Sequence, residues 1–307
     1  MKIYNHQEDT KLGDREMEKQ NQPDAKTIRL IAIIAVALGV LGIIKYIWAE
    51  HSQNNPIDQG NKIATPTLFM HGYGGSVNSE RYFAHQAKEE GYAKEAVVAT
   101  VGSNGHVTLK GKIEADDKHP IVLVNLKDNK NSDMKLNALW IKNVLEALKQ
   151  DYQFKQYNIV THSMSNLSFA NYMLKYGNNA DLPELNKQVN IAGTFNGIIG
   201  INDEPGKVTV DDNGKPDQMT DGFLDLLNLK KVAAYEKVSI LNIYGDIGDG
   251  SNSDGRVTNA SSKSLKYIMN HHAKSYQEHL IKGKQGQHSQ LHESKEAADR
   301  IFKFLWK

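Results

Sequence analysis

The stretch that decides the fold is Tyr157-Asn158-Ile159-Val160-Thr161-His162-Ser163-Met164-Ser165-Asn166, an apolar strand that runs into a serine and then a helical segment. A serine hydroxyl is a poor nucleophile at neutral pH. It becomes useful on a sharp strand-to-helix turn that exposes it to a histidine base and sets it beside main-chain N–H donors. Ser163 is therefore the candidate nucleophile. The usual pattern for such a turn is G-x-S-x-G, and here the glycine positions hold Thr161 and Ser165. Both side chains need room that strand and helix do not normally leave. A small shift of the following helix, and modest activity, are the expectation.

A second segment supports the serine. Leu68-Phe69-Met70-His71-Gly72-Tyr73-Gly74-Gly75-Ser76 reads as a strand followed by a glycine-rich turn. Glycines there let the chain bend tightly and bring an N–H against a developing alkoxide. The expected donors are the main-chain N–H groups of Tyr73 and of Met164. A phosphate-binding loop would need G-x-x-x-x-G-K-[ST] or G-x-G-x-x-G, and neither occurs at this point.

The candidate base is His288, in Gly286-Gln287-His288-Ser289-Gln290-Leu291-His292-Glu293, ahead of the closing segment Phe302-Lys303-Phe304-Leu305-Trp306-Lys307. His292, four residues on, is its competitor. The acid is sought between serine and histidine, in Gly245-Asp246-Ile247-Gly248-Asp249-Gly250-Ser251-Asn252-Ser253-Asp254-Gly255-Arg256-Val257. That loop offers Asp246, Asp249 and Asp254. Alternating oxygen side chains in it also suit a hard cation, but a solvated polar loop accounts for them, and no metal or cofactor is called for. The remaining histidines, including His271-His272, lack metal-ligand spacing.

These segments, taken together and in order, resemble the α/β-hydrolase superfamily over roughly residues 65–307. H-G-Y-G-G-S, H-S-M-S-N, D-G-S-N-S-D-G-x-V and Q-H-S-Q-L-H-E are similar to an uncharacterised family described as cell-surface hydrolases of Gram-positive bacteria, in which H-S-M-G is usual. The resemblance implies a catalytic histidine with a glutamate five residues on and a closing F-L helix, which His288, Glu293 and Phe304-Leu305 match. It implies D-x-x-V for the acid, which only Asp254 with Val257 fits. It gives His162 a structural role. The function implied is a serine hydrolase of carboxylic esters, small-molecule or lipid. A non-catalytic surface binding protein and an amidase or peptidase on the same triad are the alternatives.

The rest of the chain agrees with a mostly parallel sheet flanked by helices. Apolar runs at 67–70, 97–101, 121–125, 157–161, 189–194, 238–244 and 275–281 alternate with helical periodicity, as over 79–90, 132–150 and the C-terminal segment. Ser103-Asn104-Gly105 reads as a hairpin turn. Residues 197–236 are irregular, then amphipathic, and are the candidate lid over a site.

Composition excludes several classes. The 307 residues carry 37 basic and 36 acidic side chains, a net charge of +1, so no nucleic-acid partner is signalled. The absence of cysteine removes disulfides, thiol catalysis and cysteine-bound zinc. Before the hydrolase domain at 63–307 come a polar tail, 1–27, a membrane anchor, 28–48, and a linker, 49–62. The anchor reading rests on the uncharged run Leu30–Ile44 between Arg29 and Lys45, followed by Tyr46 and Trp48. At about 1.5 Å per residue the run is roughly 22 Å long, enough to span with snorkelling and aromatic flanks. Ile47-Trp48-Ala49 is a poor signal-peptidase site, so the segment reads as uncleaved. Lys26 and Arg29 favour a cytoplasmic N-terminus, which puts the domain outside the cell membrane.

Overall fold

The computed structural model describes residues 64–307, preceded by isolated residues 25, 26, 39 and 42. Apart from those four positions, the tail, anchor and linker of the sequence reading lie outside the described residues. Among the described residues no helix is long and apolar enough to cross a membrane.

Eight strands form one sheet: β1 (Thr67–Met70), β2 (Lys94–Val101), β3 (Val107–Gly111), β4 (Pro120–Leu126), β5 (Gln156–His162), β6 (Glu184–Ile191), β7 (Ser239–Asp246) and β8 (Ser275–Lys282). Their order is β3-β2-β4-β1-β5-β6-β7-β8. Every neighbouring pair is parallel except β2 and β3. A parallel sheet is covered on both faces, which is why β1, Thr67 followed by three large apolar residues, is buried throughout.

The alternation of strand side chains assigns the two covers. Leu68, Met70, Val122 and Val124 face a core with α2 (Met134–Tyr152) and α3 (Met164–Tyr176), through Trp140, Ile141, Val144, Leu148, Phe169 and Met173. Phe69, Ile121 and Leu123 face the other side, where α1 (Val77–Glu89) and α7 (Lys295–Trp306) contribute Phe83, Ala87, Ile301, Phe302 and Leu305. The α2 helix starts two residues later than its periodicity suggests because Asp133 caps it, accepting from Lys135 N and Leu136 N.

Two departures from the sequence reading are instructive. The sixth strand spans Glu184–Ile191 rather than 189–194: its polar beginning pairs with β5, and it ends where Ala192 turns to φ 50°. The Ser103-Asn104-Gly105 turn is present, with Gly105 at φ 80°, and it returns the chain as β3, a half-exposed edge strand whose pattern is too polar to announce itself.

Between β6 and β7 the chain makes its long excursion. Its second half contains α4 (Asp221–Leu226) and two short 3-10 turns, Leu227–Lys231 and Ala233–Lys237. Phe223, Leu226, Leu229 and Tyr235 are buried in the same core as α2 and α3, so this half is part of the domain's interior. The first half has another task, tied to the acid loop. Helices α5 (Asn259–Lys263) and α6 (Leu265–Met269) then precede β8.

Candidate active site

The site sits where open α/β sheets hold theirs, beyond the C-terminal ends of the strands. Strand β5 ends at His162, and α3 begins at Met164. Ser163 alone makes the turn, at φ 54° and ψ −123°. That conformation costs a non-glycine residue on the order of 1–3 kcal/mol and persists only when its surroundings hold it. Ser163 N donates to Ile191 O at 2.9 Å, and Ser163 O accepts from Asn166 N at 3.0 Å.

The bend presents the hydroxyl to His288. Ser163 Oγ lies 2.9 Å from His288 Nε2, and His288 Nδ1 lies 2.8 Å from Asp254 Oδ2. Nδ1 carries the proton donated to the carboxylate, so Nε2 is left to accept from the serine. Asp254 is 1% exposed. Its other oxygen, Oδ1, accepts from Arg256 N at 2.8 Å and Val257 N at 2.7 Å, and its main-chain carbonyl accepts from His288 N at 2.9 Å. A carboxylate so held is aimed at the histidine ring by the main chain of its own loop, and the Asp254 carbonyl ties the His288 backbone to that loop.

Of the other aspartates in this loop, Asp249 is exposed and accepts from Ser251 N, and Asp246 accepts from Gly248 N and, at 3.4 Å, from Asn259 Nδ2. Neither is bonded to His288. His292 is not bonded to Ser163 either; its ring packs edge-on against His162 with centroids 5.2 Å apart. His162 is buried, donates from Nε2 to the His288 carbonyl at 3.1 Å and lies 5.0 Å from the His288 ring. Burial, followed by the neighbouring His288 and His292, holds its pKa well below the usual histidine value.

The turn after β1 lies directly against the serine. A Cβ on Gly72 would stand 2.9 Å from Ser163 Cβ and 3.1 Å from the His162 carbonyl, so only glycine fits. His71, beside it, donates from Nδ1 to Gly72 O at 2.9 Å and accepts Leu126 N–H on Nε2 at 3.1 Å, which pins the turn to β4. Burial lowers the His71 pKa, and the bond to Gly72 offsets part of that. Among the described residues, neither Tyr73 N–H nor Met164 N–H donates to a main-chain acceptor. Both expected oxyanion donors are therefore free of the fold's own ladder.

The side chains at the glycine positions are absorbed by hydrogen bonds. Ser165 Oγ is buried, accepts His162 N–H at 2.9 Å and lies 2.9 Å from Met70 O and 2.8 Å from His162 O, between which its single proton is shared. Thr161 Oγ1 donates to Asn166 Oδ1 at 2.8 Å. The sequence suggests a steric cost for both side chains; the structure instead gives their hydroxyls partners, of which Asn166, three residues after Ser163, is the one visible nearby in the sequence.

The acid loop is held from the first half of the excursion. Buried Asp203 accepts from Thr258 Oγ1 at 2.6 Å, and Ile199 N donates to Arg256 O at 2.9 Å. Ser261 Oγ donates to Gly197 O, and Ser262 Oγ to Gly193 O. The segment expected to lie over the site is stitched to the loop that carries Asp254.

With this geometry in view the sequence comparisons have a place. The family described as "Alpha/beta hydrolase of unknown function (DUF915)" matches residues 54–307. The chain belongs to that family. Among solved structures, the gene lin2722 product of Listeria innocua is 26% identical, with a TM-score of 0.70 over 80% of this chain and 94% of its own. The "putative cell surface hydrolase" of Lactobacillus plantarum is 19% identical, with a TM-score of 0.62 over 79% of this chain and 90% of its own. The Pyrococcus furiosus esterase Pf2001 is a more distant likeness, 16% identical with a TM-score of 0.46 over 81% and 84%. No curated protein sequence matches the chain significantly. Membership in the family accounts for the fold; the roles of Ser163, His288 and Asp254 rest on the chemistry of their arrangement.

Proposed function

We propose that the protein is a serine hydrolase of carboxylic esters. The observation that carries this reading is the unbroken chain Asp254–His288–Ser163, 2.8 and 2.9 Å, ending on a serine in a strained bend. Ser163 Oγ attacks the ester carbonyl as His288 Nε2 takes its proton. The Tyr73 and Met164 N–H groups receive the alkoxide oxygen. Collapse of the tetrahedral intermediate breaks the C–O bond, and His288 returns the proton to the departing alcohol. Water, deprotonated by His288, then releases the acid from the acyl-serine. The hydrogen bonds that the Thr161 and Ser165 hydroxyls make around the altered elbow support the catalytic reading over a non-catalytic one.

A fluorophosphonate probe and a series of p-nitrophenyl esters of increasing acyl length test the proposal. Labelling and turnover should both be present and both vanish in Ser163→Ala, and ester turnover should exceed that of the matching anilide. Labelling that survives in Ser163→Ala, or faster anilide cleavage, would overturn it. We further propose that the domain is held at the outer face of the cell membrane by residues 28–48. It should fractionate with membranes and be digested by protease added to intact spheroplasts; a soluble mature chain starting near Glu50 would show cleavage instead.

A further inference from the structure

The triad leaves one buried polar side chain at the elbow without a role. Asn166 is 1% exposed, yet every bond it makes concerns the conformation of Ser163. Its Nδ2 donates to Ser163 O at 2.9 Å and to Ile191 O at 3.0 Å. Ile191 O is also the acceptor for Ser163 N. One amide group thus grips Ser163 through its carbonyl and through the partner of its N–H. The orientation of that amide is not free. Thr161 Oγ1 donates to Asn166 Oδ1, and a flipped amide would set its oxygen against two carbonyl oxygens.

Geometry carries this grip to the reacting centre. Ser163 C=O and Met164 N–H belong to the same peptide unit, which is planar and trans, so the two bonds point in opposite directions. Fixing the carbonyl fixes where the N–H is aimed. Met164 N–H is the donor assigned to the oxyanion, and an oxyanion donor acts only when it is aimed at the place the alkoxide will occupy. We propose that Asn166 is a positioning residue that aims Met164 N–H at the oxyanion, with Thr161 setting the orientation of its amide. The polar trio Thr161, Ser165 and Asn166 then does by hydrogen bonding what the usual pattern leaves to close glycine packing. This inference rests on the reading of Ser163 as the nucleophile.

Asn166→Ala is a usable variant because it orphans no main-chain acceptor: Ser163 O keeps Asn166 N, Ile191 O keeps Ser163 N, and the Thr161 hydroxyl has Val189 O at 3.4 Å. Rates are measured per fluorophosphonate-titrated site, so loss of folded protein does not enter. The ester kcat should fall by about tenfold, less than the 10²–10³ for deleting an oxyanion donor, with KM unchanged. Affinity for a trifluoromethyl ketone that forms a hemiketal with Ser163 should fall by the same factor. Thr161→Val, which removes only the orienting hydroxyl, should show the same pattern at a few-fold. A merely structural role would lower the titrated fraction and the melting temperature but leave per-site kcat and ketone affinity alone. Unchanged per-site kcat in both variants would overturn the proposal and leave the nucleophile intact. Absence of wild-type labelling at Ser163 would overturn both.

Discussion

The serine elbow and the acid loop reach the same histidine but are held in different ways. The elbow is braced mostly by its neighbours: Thr161 to Asn166, His162 to Ser165, Asn166 to Ser163, with Met70 O and Ile191 O as the longer ties. The acid loop holds Asp254 itself locally, through Arg256 N and Val257 N, but is fastened as a whole from far along the chain, by Asp203 and Ile199 of the excursion after β6, with Gly197 and Gly193 gripping the adjoining α5. A locally braced turn carries its own instructions in a short string of residues. The long ties of the acid loop carry no such signal, and its local brace on Asp254 is two main-chain N–H groups, so the loop's residue types do not by themselves single out the active side chain.

The two largest predicted effects fall on opposite sides of this comparison. Ser163→Ala should lower ester kcat by about 10⁵-fold or more while leaving the melting temperature nearly unchanged, because every bond holding the elbow uses main chain or other side chains. Calorimetry beside steady-state kinetics checks this; a large loss of stability would mean that the hydroxyl itself holds the turn. Asp254→Asn should lower kcat by about 10⁴-fold, since a histidine facing an amide adopts the wrong tautomer. Asp249→Asn, at an exposed carboxylate bonded to Ser251 N, should leave kcat within about twofold, as a surface change remote from the histidine. The reverse outcome would move the acid.

Legibility follows the same division. Thr67–Met70 is legible to the residue because a strand buried on both faces shows as a run of large apolar residues, here Leu68-Phe69-Met70 behind a β-branched threonine. Ser163, the Gly72 turn and the parallel sheet are legible from local pattern; His288 is preferred to His292 only through the resemblance. Asp254 was separable from Asp246 and Asp249 only through the D-x-x-V resemblance. The structure supplies the reason: Oδ1 binds the Arg256 and Val257 N–H groups, which turns the carboxylate inward. Asp203 gave no signal at all, because its partner Thr258 is 55 residues away. Edge strand β3 is announced only by the hairpin turn before it, because its exposed face, Thr108 and Lys110, is polar.

The two braces can be weighed directly. Asp203→Ala leaves the Thr258 hydroxyl without its charged acceptor and should cost about 1–3 kcal/mol of stability. For a domain of this size that is on the order of 2–12 °C in melting temperature, and kcat should fall several-fold as the acid loop loosens. Asp203→Asn keeps an acceptor and should cost less. Ser165→Gly removes the bond from His162 N and the tie to Met70 O, and should cost about 1–2 kcal/mol. Activity per folded molecule should be equal or higher, because glycine relieves the crowding between strand and helix, while loss of the buried hydroxyl's three contacts lowers stability. A melting temperature at or above wild type in Ser165→Gly would show that the brace is dispensable.

The smallest effect concerns the residue that joins the two regions. His162 belongs to the elbow, and its Nε2–H holds the His288 carbonyl, while Asp254 holds the same residue by its N–H and its ring. Because burial and the adjacent histidines depress its pKa, folded His162 binds a proton less readily than the unfolded chain does near pH 6.5. Its contribution is fully present above that pH and is lost as the pH falls toward the depressed folded-state value, at no more than about 1.4 kcal/mol per pH unit. His71 and His292 are shifted in the same direction and add to the slope. His162→Gln retains a donor for the His288 carbonyl and cannot be charged. Urea unfolding at pH 7.5 and 5.5 should give a smaller difference for this variant than for wild type, with the gap closing from the acid side. Equal differences in the two proteins would mean that His162 titrates as it does in the unfolded chain.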